Sequence, residues 1–524
     1  MSDDPSGPSG SEPAGEEPRG RLQEVIRARR DALARLRERG IEPFALRFDK
    51  NADAKDLHER YGELDPGAET DDRRAVAGRI VLLRRQGRLS FATLRDTTGD
   101  IQLFLSQAVM GQAYEVVELL DLGDIVGAEG PVVKTKRGEL SIKVEQLTLL
   151  TKAHRPMPEK WHGLRDPEAR HRRRYLDLAS NPESRRAVWA RAKVLKAFRK
   201  VLDDRGFVEV ETPALQATHG GAMARPFITH HRVLDMPLYL RIAPELYLKR
   251  LLVGGIERVY EIGRNFRNEG LDREHNPEFT MLEAYLAYGT YEDMMELAEA
   301  LIREAAMAVR GSLRFQYQGR ELDFEPPWRR ITLLEAVSEA VGETVTLDRA
   351  SLEKLAERMD VSVEPGWGPG KILLELYEKR AEHLVWDPTF VMDFPREVSP
   401  LARPHRTAPG LTEQFDHMIA GMEIGPAYSE LTDPDEQRAR FVDQQRLRRG
   451  GDEEAHPLDE DFLEALEHGM PPAGGIGVGV DRVTMIMADV PSIRDVILFP
   501  HLRPARAEGG VQGGSGPAQR SGAD

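Results

Sequence analysis

The run Phe266-Arg267-Asn268-Glu269, followed closely by His275-Asn276-Pro277-Glu278-Phe279-Thr280-Met281-Leu282-Glu283, gathers a guanidinium, an imidazole, carboxylates and a flat ring. It reads as two strands, Arg258–Arg267 and Asn276–Leu286, joined by a polar loop. Side chains alternate across a strand, so Phe279, Met281, Glu283 and Tyr285 share one face. A carboxylate, a phenol and a ring on that face, beside Arg267 and His275, suggest a pocket for a charged, partly planar ligand. Burying Glu283 without such a ligand is costly.

A second run, Gly475-Ile476-Gly477-Val478-Gly479-Val480-Asp481-Arg482, supplies an opposing wall. Its glycines fall on one side of a strand, and glycine weakens a strand unless another group must approach the backbone. Val483–Met487 reads as a helical turn, with Asp481 as N-cap and Arg482 at the helix entrance, where anions bind. Taken alone, the run reads equally as tight strand-to-helix packing with a solvated arginine. It does not match the dinucleotide fingerprint, and Gly370-Lys371 lacks the rest of a phosphate loop. Asp416, Glu423 and Glu430 are spaced as on a helical stripe, but Gly421, Gly425 and Pro426 oppose a continuous helix. Those carboxylates therefore belong on strands and turns.

In order along the chain, the segment Gly206-Phe207-Val208-Glu209-Val210-Glu211-Thr212-Pro213, the arginine-bearing hairpin and the glycine strand resemble the three motifs of the class II aminoacyl-tRNA synthetases. Within that family they look most like the bacterial-type lysyl enzymes, and the resemblance runs from Arg19 to Pro504. It implies a ligase that activates L-lysine with ATP and passes it to the 3′ end of a tRNA. Arg267 would bridge the amino-acid carboxylate and the α-phosphate, and Arg482 would close over the adenine or reach the γ-phosphate. Both count as catalytic. Glu269 and Asn276 would meet the adenine, Phe279 would stack on it, and His275 would lie near the outer phosphates. Read without the family, Arg267 is an ordinary strand-end ion pair and His275 an idle loop histidine. Asp416 and Glu423 would hold Mg2+, Glu423 also counting among the ATP contacts.

Selectivity for lysine requires a partner for an ammonium on a four-carbon stem, and Glu283, Tyr285 and Glu430 can supply it. Glu245 and the backbone of Gly221 would hold the α-amino group. Two residues depart from the family pattern. Asp416 stands where Glu is common. Pro426 stands where an Asn often helps hold the substrate carboxylate, and proline offers neither side-chain donor nor backbone N–H.

These groups require a framework. A chain of 524 residues suggests two or three domains, and 40% hydrophobic with 31% charged residues describes a globular protein. No run reaches transmembrane length, Met1–Gly20 lacks a signal's apolar core, and zero cysteines fit a reducing cytoplasm. The net charge of −15 conceals two basic strips, Arg19–Arg39 and Thr151–Tyr175, suited to steering a polyanion or simply solvated. Residues 1–18 and 505–524 read as disordered tails, 19–74 as a helical segment, 75–152 as a barrel, 153–182 as a linker and 183–504 as the catalytic domain.

The barrel reading rests on short alternating strands, Gly78–Leu83, Ser90–Arg95, Ile101–Leu105, Asp124–Val133 and Glu139–Leu149, about five in an OB-type arrangement. Phe91 suits base stacking or, flanked by Ser90 and Ala92, barrel filling. The resemblance implies that Phe91, Gln102 and Glu139 read an anticodon. Downstream, Ser184–Asp204, Glu292–Arg310, Leu333–Val341 and Lys371–Leu384 read as helices. Strands at Tyr239–Ala243, Gln414–Ala420 and Ile476–Val480 join the hairpin in a largely antiparallel sheet. The expected class is thus α+β and multidomain: an OB barrel followed by a class II catalytic domain, as a homodimer built near Pro213. Two other readings are a paralogue that lysylates a protein, and an RNA-binding protein with a decayed catalytic domain.

Overall fold

The computed structural model describes residues 19–158, 164, 166–449 and 455–504, so both expected tails and part of the expected linker lie outside the described residues. The chain divides into two compact units, Met1–Gly163 and Leu164–Asp524.

The first unit is a barrel built on strict alternation. Along β2 (Leu89–Arg95), Ser90, Ala92 and Leu94 are buried while Phe91, Thr93 and Arg95 are not. Along β3 (Asp100–Ser106), Ile101, Leu103 and Leu105 point inward. The turn between them is fixed by the Asp96 carboxylate, which accepts from the backbone N–H of Thr98 at 2.7 Å and Gly99 at 3.0 Å, and from Lys50 at 2.9 Å. β1 (Glu69–Gln86) is long enough to pair with β2 at one end and β4 (Ile125–Lys134) at the other, bending at an irregularity between Ile80 and Leu82. That double pairing closes the sheet of order β1-β2-β3-β5-β4-β6. The expected strand Glu139–Leu149 is in fact two, β5 (Leu140–Lys143) and β6 (Gln146–Thr151), making six strands. The chain breaks there because Val144 and Glu145 leave one pairing for another, with Glu145 N–H donating to the Glu129 carbonyl at 2.8 Å. The basic helix Arg19–Glu38 buries Ile26, Leu33 and Leu36.

The second unit centres on an eight-stranded sheet. In chain order its strands are β7 (Val208–Glu209), β11 (Arg258–Phe266), β12 (Glu278–Ala287), β15 (Arg329–Thr332), β16 (Thr389–Met392), β17 (Gln414–Ile419), β18 (Met422–Ser429) and β19 (Ala473–Gly479). Across the sheet they run β15-β16-β17-β18-β19-β12-β11-β7. All neighbours are antiparallel except β7 with β11 and β15 with β16. The intervening strands are β8 (Leu215–Gln216), β9 (Ile228–His231) and β10 (Met236–Leu240), which form their own three-stranded sheet, and the β13–β14 hairpin (Arg314–Tyr317, Arg320–Asp323). The strand expected at Tyr239–Ala243 is β10, which runs Met236–Leu240, ends three residues earlier than expected and lies outside the main sheet.

One face of the main sheet is packed. Helix Tyr291–Arg310 presents Met294, Leu297, Ala298, Leu301, Ile302 and Ala305 at helical spacing, all at most 4% exposed. It begins with a Thr290/Asp293 capping box and stops at Gly311, whose φ of 72° favours glycine. Helix Pro182–Asp203 adds Val194, Phe198 and Leu202. Burying each large side chain stabilises the fold by about 1.5–3 kcal/mol. The opposite face, lined by the glycines of β19, is left for chemistry. Helices Leu333–Val341, Arg349–Arg358 and Pro369–Arg380 form a satellite core; the last ends four residues before the expected Leu384, where a 3₁₀ turn at Glu382–Leu384 follows.

Candidate active site

A cavity of about 400 Å³ opens on that face. The first opposing elements are β12 and β19, paired Glu283↔Gly477 and Tyr285↔Gly475. Tyr285 and Glu283 are buried, at 3% and 4% exposure, and the Tyr285 hydroxyl donates to Glu283 Oε2 at 3.0 Å. Burial first, then the Glu245 carboxylate, pushes the Glu283 carboxyl up to about 8. The glycines are required by contact. A Cβ on Gly475 would sit 2.0 Å from Glu430 Oε1 and 2.6 Å from the Tyr285 ring.

Arg267 emerges at the mouth of the β11–β12 hairpin, its guanidinium 5.2 Å from the centre of the Phe279 ring. Its Nε is buried with no hydrogen-bond partner, as is Asn276 Oδ1, while Asn276 Nδ2 donates to the Glu278 carbonyl at 2.6 Å. Both residues line the same cavity, and a buried polar atom without a protein partner is one that a ligand or water can satisfy. Arg482 is held across from them. It donates to the Glu423 carbonyl and to His275 Nε2, the latter at 2.9 Å, while His275 Nδ1 is 2.7 Å from Asp272. Glu269 and Phe279 complete the wall.

Asp481 does not cap its helix. The helix starts at Val480 after Gly479, and Asp481 instead accepts from Thr280 N–H at 2.7 Å and pairs with Arg191. Buried to 2%, it has turned inward because β12 offers an otherwise unpaired N–H. The bond ties the glycine strand to the hairpin, fixing Arg482 relative to Arg267.

At the acidic end, Glu245 begins the helix Glu245–Val253, and its Oε1 accepts from Tyr428 Oη and Lys249 Nζ, both at 2.6 Å. Gly221 lies against it with φ 89°; a Cβ there would meet Glu245 Cβ at 2.9 Å. Glu430, 1% exposed, does not line the cavity: it lies beneath Gly475, 2.5 Å from Lys249. Asp416 and Glu423 stand on adjacent strands, β17 and β18, at another edge of the cavity. Burial and then Glu423 push the Asp416 carboxyl well above its ordinary range, and Glu382 is pushed up to about 7. Among the described residues no three such side chains converge as a ready-made metal cage.

Lys249 and His456 escaped the sequence reading. His456 lines the cavity with its Nδ1 unpartnered, and burial pushes its imidazole down to about 3, keeping it neutral. Lys249 stands four residues after Glu245 on a helix, a spacing that brings the two together and was legible. His456 carries no local signal.

In the barrel, Phe91 faces outward beside Phe104, ring centres 5.5 Å apart, rather than into the core. Gln102 Oε1 accepts from Ser141 Oγ at 3.0 Å, and the exposed Glu139 lies at the start of that same strand pair. Phe91 and Gln102 thus lie on adjacent strands, and Glu139 just before the strand paired with the latter.

Residues 166–503 match the class II tRNA synthetases of the D, K and N group, and residues 75–150 match the OB-fold nucleic acid binding domains. The chain belongs to the class II tRNA synthetases. Its similarity is strong to proteins named lysine–tRNA ligase: 50% identity over 93% of this chain and 98% of the relative from Syntrophomonas wolfei, 50% over 92% and 98% for Moorella thermoacetica, and 50% over 92% and 100% for a Synechococcus species.

Proposed function

We propose that this chain joins L-lysine to its tRNA at the expense of ATP. The lysine carboxylate oxygen attacks the α-phosphorus of ATP, the bond to the bridging oxygen breaks, and pyrophosphate leaves. A terminal ribose hydroxyl of the tRNA then attacks the adenylate carbonyl, and AMP leaves. The nucleophile is already ionised in the first step, so the protein's task is to bring two anions together and neutralise them.

Arg267 lies between carboxylate and α-phosphate in this reading, and Phe279 stacks on the adenine. Glu269 and Asn276 meet the adenine edge, while His275 and Arg482 face the outer phosphates. Glu283, Tyr285 and, through the floor, Glu430 receive the ε-ammonium; Glu245 Oε2 and Gly221 hold the α-amino group. The observation that carries the reading is the pairing of Glu283 with Tyr285, buried and without an ion-paired cation, in the same cavity as Arg267, whose Nε has no hydrogen-bond partner. Buried carboxylates of this kind select a cationic substrate.

Mg2+ fits the edge at Asp416 and Glu423, because a carboxyl pushed up by burial and then by Glu423 gains from a cation and magnesium takes one or two carboxylates plus substrate phosphates. When bound it supplies charge neutralisation of the phosphates. Phe91, Gln102 and Glu139 contact the anticodon. A homodimer is supported by apolar side chains exposed around the first motif, Val208, Leu215 and Ile228 at 49–67% exposure. We place the enzyme in the cytoplasm; among the described residues no helix is long and apolar enough to cross a membrane.

Lysine-dependent ATP–pyrophosphate exchange tests the first half-reaction, and its absence refutes the reading. Charging of tRNA carrying an altered anticodon tests the second. Unchanged charging would favour a non-tRNA acceptor.

A further inference from the structure

Lys249 is a buried charge behind the amino-acid pocket that the chemistry above leaves without a task. Its side chain has no solvent exposure, and its ammonium lies 2.6 Å from Glu245 Oε1 and 2.5 Å from Glu430 Oε2. It stands 5.4 Å from the centre of the Tyr428 ring. A buried lysine held only by one helical neighbour would be a fold device. This one bridges two carboxylates from different elements: Glu245 of the helix Glu245–Val253, which lines the cavity, and Glu430, the residue after β18, which lies beneath its floor.

We infer that Lys249 is a specificity-determining positioning residue: an internal ammonium that holds Glu245 and Glu430 in place and sets the charge of the lysine pocket. This rests on the proposed lysine activation. The geometry assigns oxygens. Lys249 and Tyr428 occupy Oε1 of Glu245, leaving Oε2 for the substrate's α-amino group. Lys249 forms an ion pair with Oε2 of Glu430, neither Glu430 oxygen has a well-directed hydrogen-bond donor, and Oε1 lies against Gly475. The charges also close. With all three ionised around a bound ammonium, Glu245, Glu283 and Glu430 carry three negative charges, and Lys249 and Arg267 return two. The remaining single negative charge matches lysine, whose two ammoniums and one carboxylate make a monocation. Without Lys249 the loaded pocket holds an extra negative charge out of water, and a carboxyl takes up a proton instead of receiving an ammonium.

The surrounding groups agree. Tyr285 and Tyr428 are pushed well above their ordinary range and Glu283 up to about 8, each first by burial, and burial keeps His456 neutral. No other cation from these elements touches Glu430 among the described residues. Burial pulls the Lys249 ammonium down, but Glu245 and Glu430 outweigh it and leave it raised, so it stays charged.

The test compares wild type, Lys249→Met and Lys249→Gln in lysine-dependent ATP–pyrophosphate exchange, with melting temperature measured on each. Loss of charge raises KM for lysine by about 100-fold, leaves KM for ATP within threefold, and narrows the preference for lysine over norleucine. The acid limb of kcat/KM for lysine moves to higher pH by about one unit or more. In Lys249→Ala, propylammonium chloride restores the KM while propanol does not, which separates charge from packing. Lys249→Gln keeps a donor between the carboxylates and serves where Lys249→Met does not fold. Wild-type KM and an unmoved acid limb in a folded variant, or equal rescue by propanol, overturns the inference. A wild type without lysine-dependent exchange overturns the functional reading instead.

Discussion

Replacing Gly475 with alanine separates a pocket shaped by backbone from one shaped by side chains. The new Cβ lies 2.0 Å from Glu430 Oε1 and 2.6 Å from the Tyr285 ring, against an ordinary carbon–oxygen contact of about 3.3 Å. Neither neighbour can swing into open space, because Glu430 is 1% and Tyr285 3% exposed. Something must shift by more than about one ångström, and a misplacement of that size costs about 100-fold, or about 2.7 kcal/mol. The expected result is a rise of that order in KM for lysine with KM for ATP unchanged, since the displaced groups lie at the acidic end of the cavity. Overpacking itself destabilises by about 1–3 kcal/mol, so the melting temperature falls only modestly. Gly477→Ala is the internal comparison. Its Cβ meets the terminal methyl of Met281 at 2.7 Å, a flexible group that can move aside, and the lysine KM rises by less. A Gly475→Ala enzyme that folds and binds lysine within threefold of wild type refutes the placement of Glu430 and Tyr285 in the amino-acid site.

Pro426 lines the cavity on β18 opposite Asp416 and brings no donor, so Pro426→Asn lowers KM for lysine; an unchanged KM removes the carboxylate from that position. Glu283 is pushed up to about 8, so its carboxyl is mostly neutral near pH 7 in the empty pocket, while the ε-ammonium requires the ionised form. kcat/KM for lysine therefore rises from pH 6 and levels off above about 8, and a flat profile across that range contradicts the assignment. In the barrel, Asp96 lies well below the usual carboxylate range: its bonds to Lys50, Ala54 and Thr98 outweigh burial. A depressed folded-state value gives stability present above the unfolded value and lost as pH falls, so Asp96→Asn destabilises the barrel by about 1–3 kcal/mol at pH 7 and weakens its acid sensitivity. Equal denaturant midpoints for the two proteins at pH 7 would contradict this.

The alternation that places Phe279, Met281, Glu283 and Tyr285 on one face was legible because a strand's period is two and β12 is long enough to express it. The helix Tyr291–Arg310 was legible for the analogous reason. Where reading failed, a non-local partner decided. Asp481 has the position of an N-cap, yet Thr280, two hundred residues earlier, supplies the N–H it bonds. Glu139–Leu149 looks continuous, yet Glu129 draws the chain into a new pairing at Glu145. Phe91 was ambiguous between core and surface because its neighbours are small. Its register with Phe104 resolves the matter, and register is a property of two strands.

The same distinction explains why the acidic pocket requires coordinates. Glu245, Glu283 and Glu430 can each be nominated from sequence as ammonium partners, and a sum of nominations suggests three equivalent acceptors. The fold makes them unequal. Glu283 is met by a phenol, Glu245 by a phenol and an ammonium, and Glu430 by an ammonium from beneath the floor. On Glu283 and Glu245 the donors gather on one oxygen and leave the other, so in this reading selectivity resides in which lone pairs remain. In the proposed reading a substrate with one terminal ammonium ionises and pairs Glu283, whereas norleucine leaves it with Tyr285 alone and Glu430 with Lys249 alone. Discrimination on this reading comes from the ammonium itself: a carboxyl that burial keeps protonated in the empty pocket ionises only when a cation meets it, and norleucine brings none.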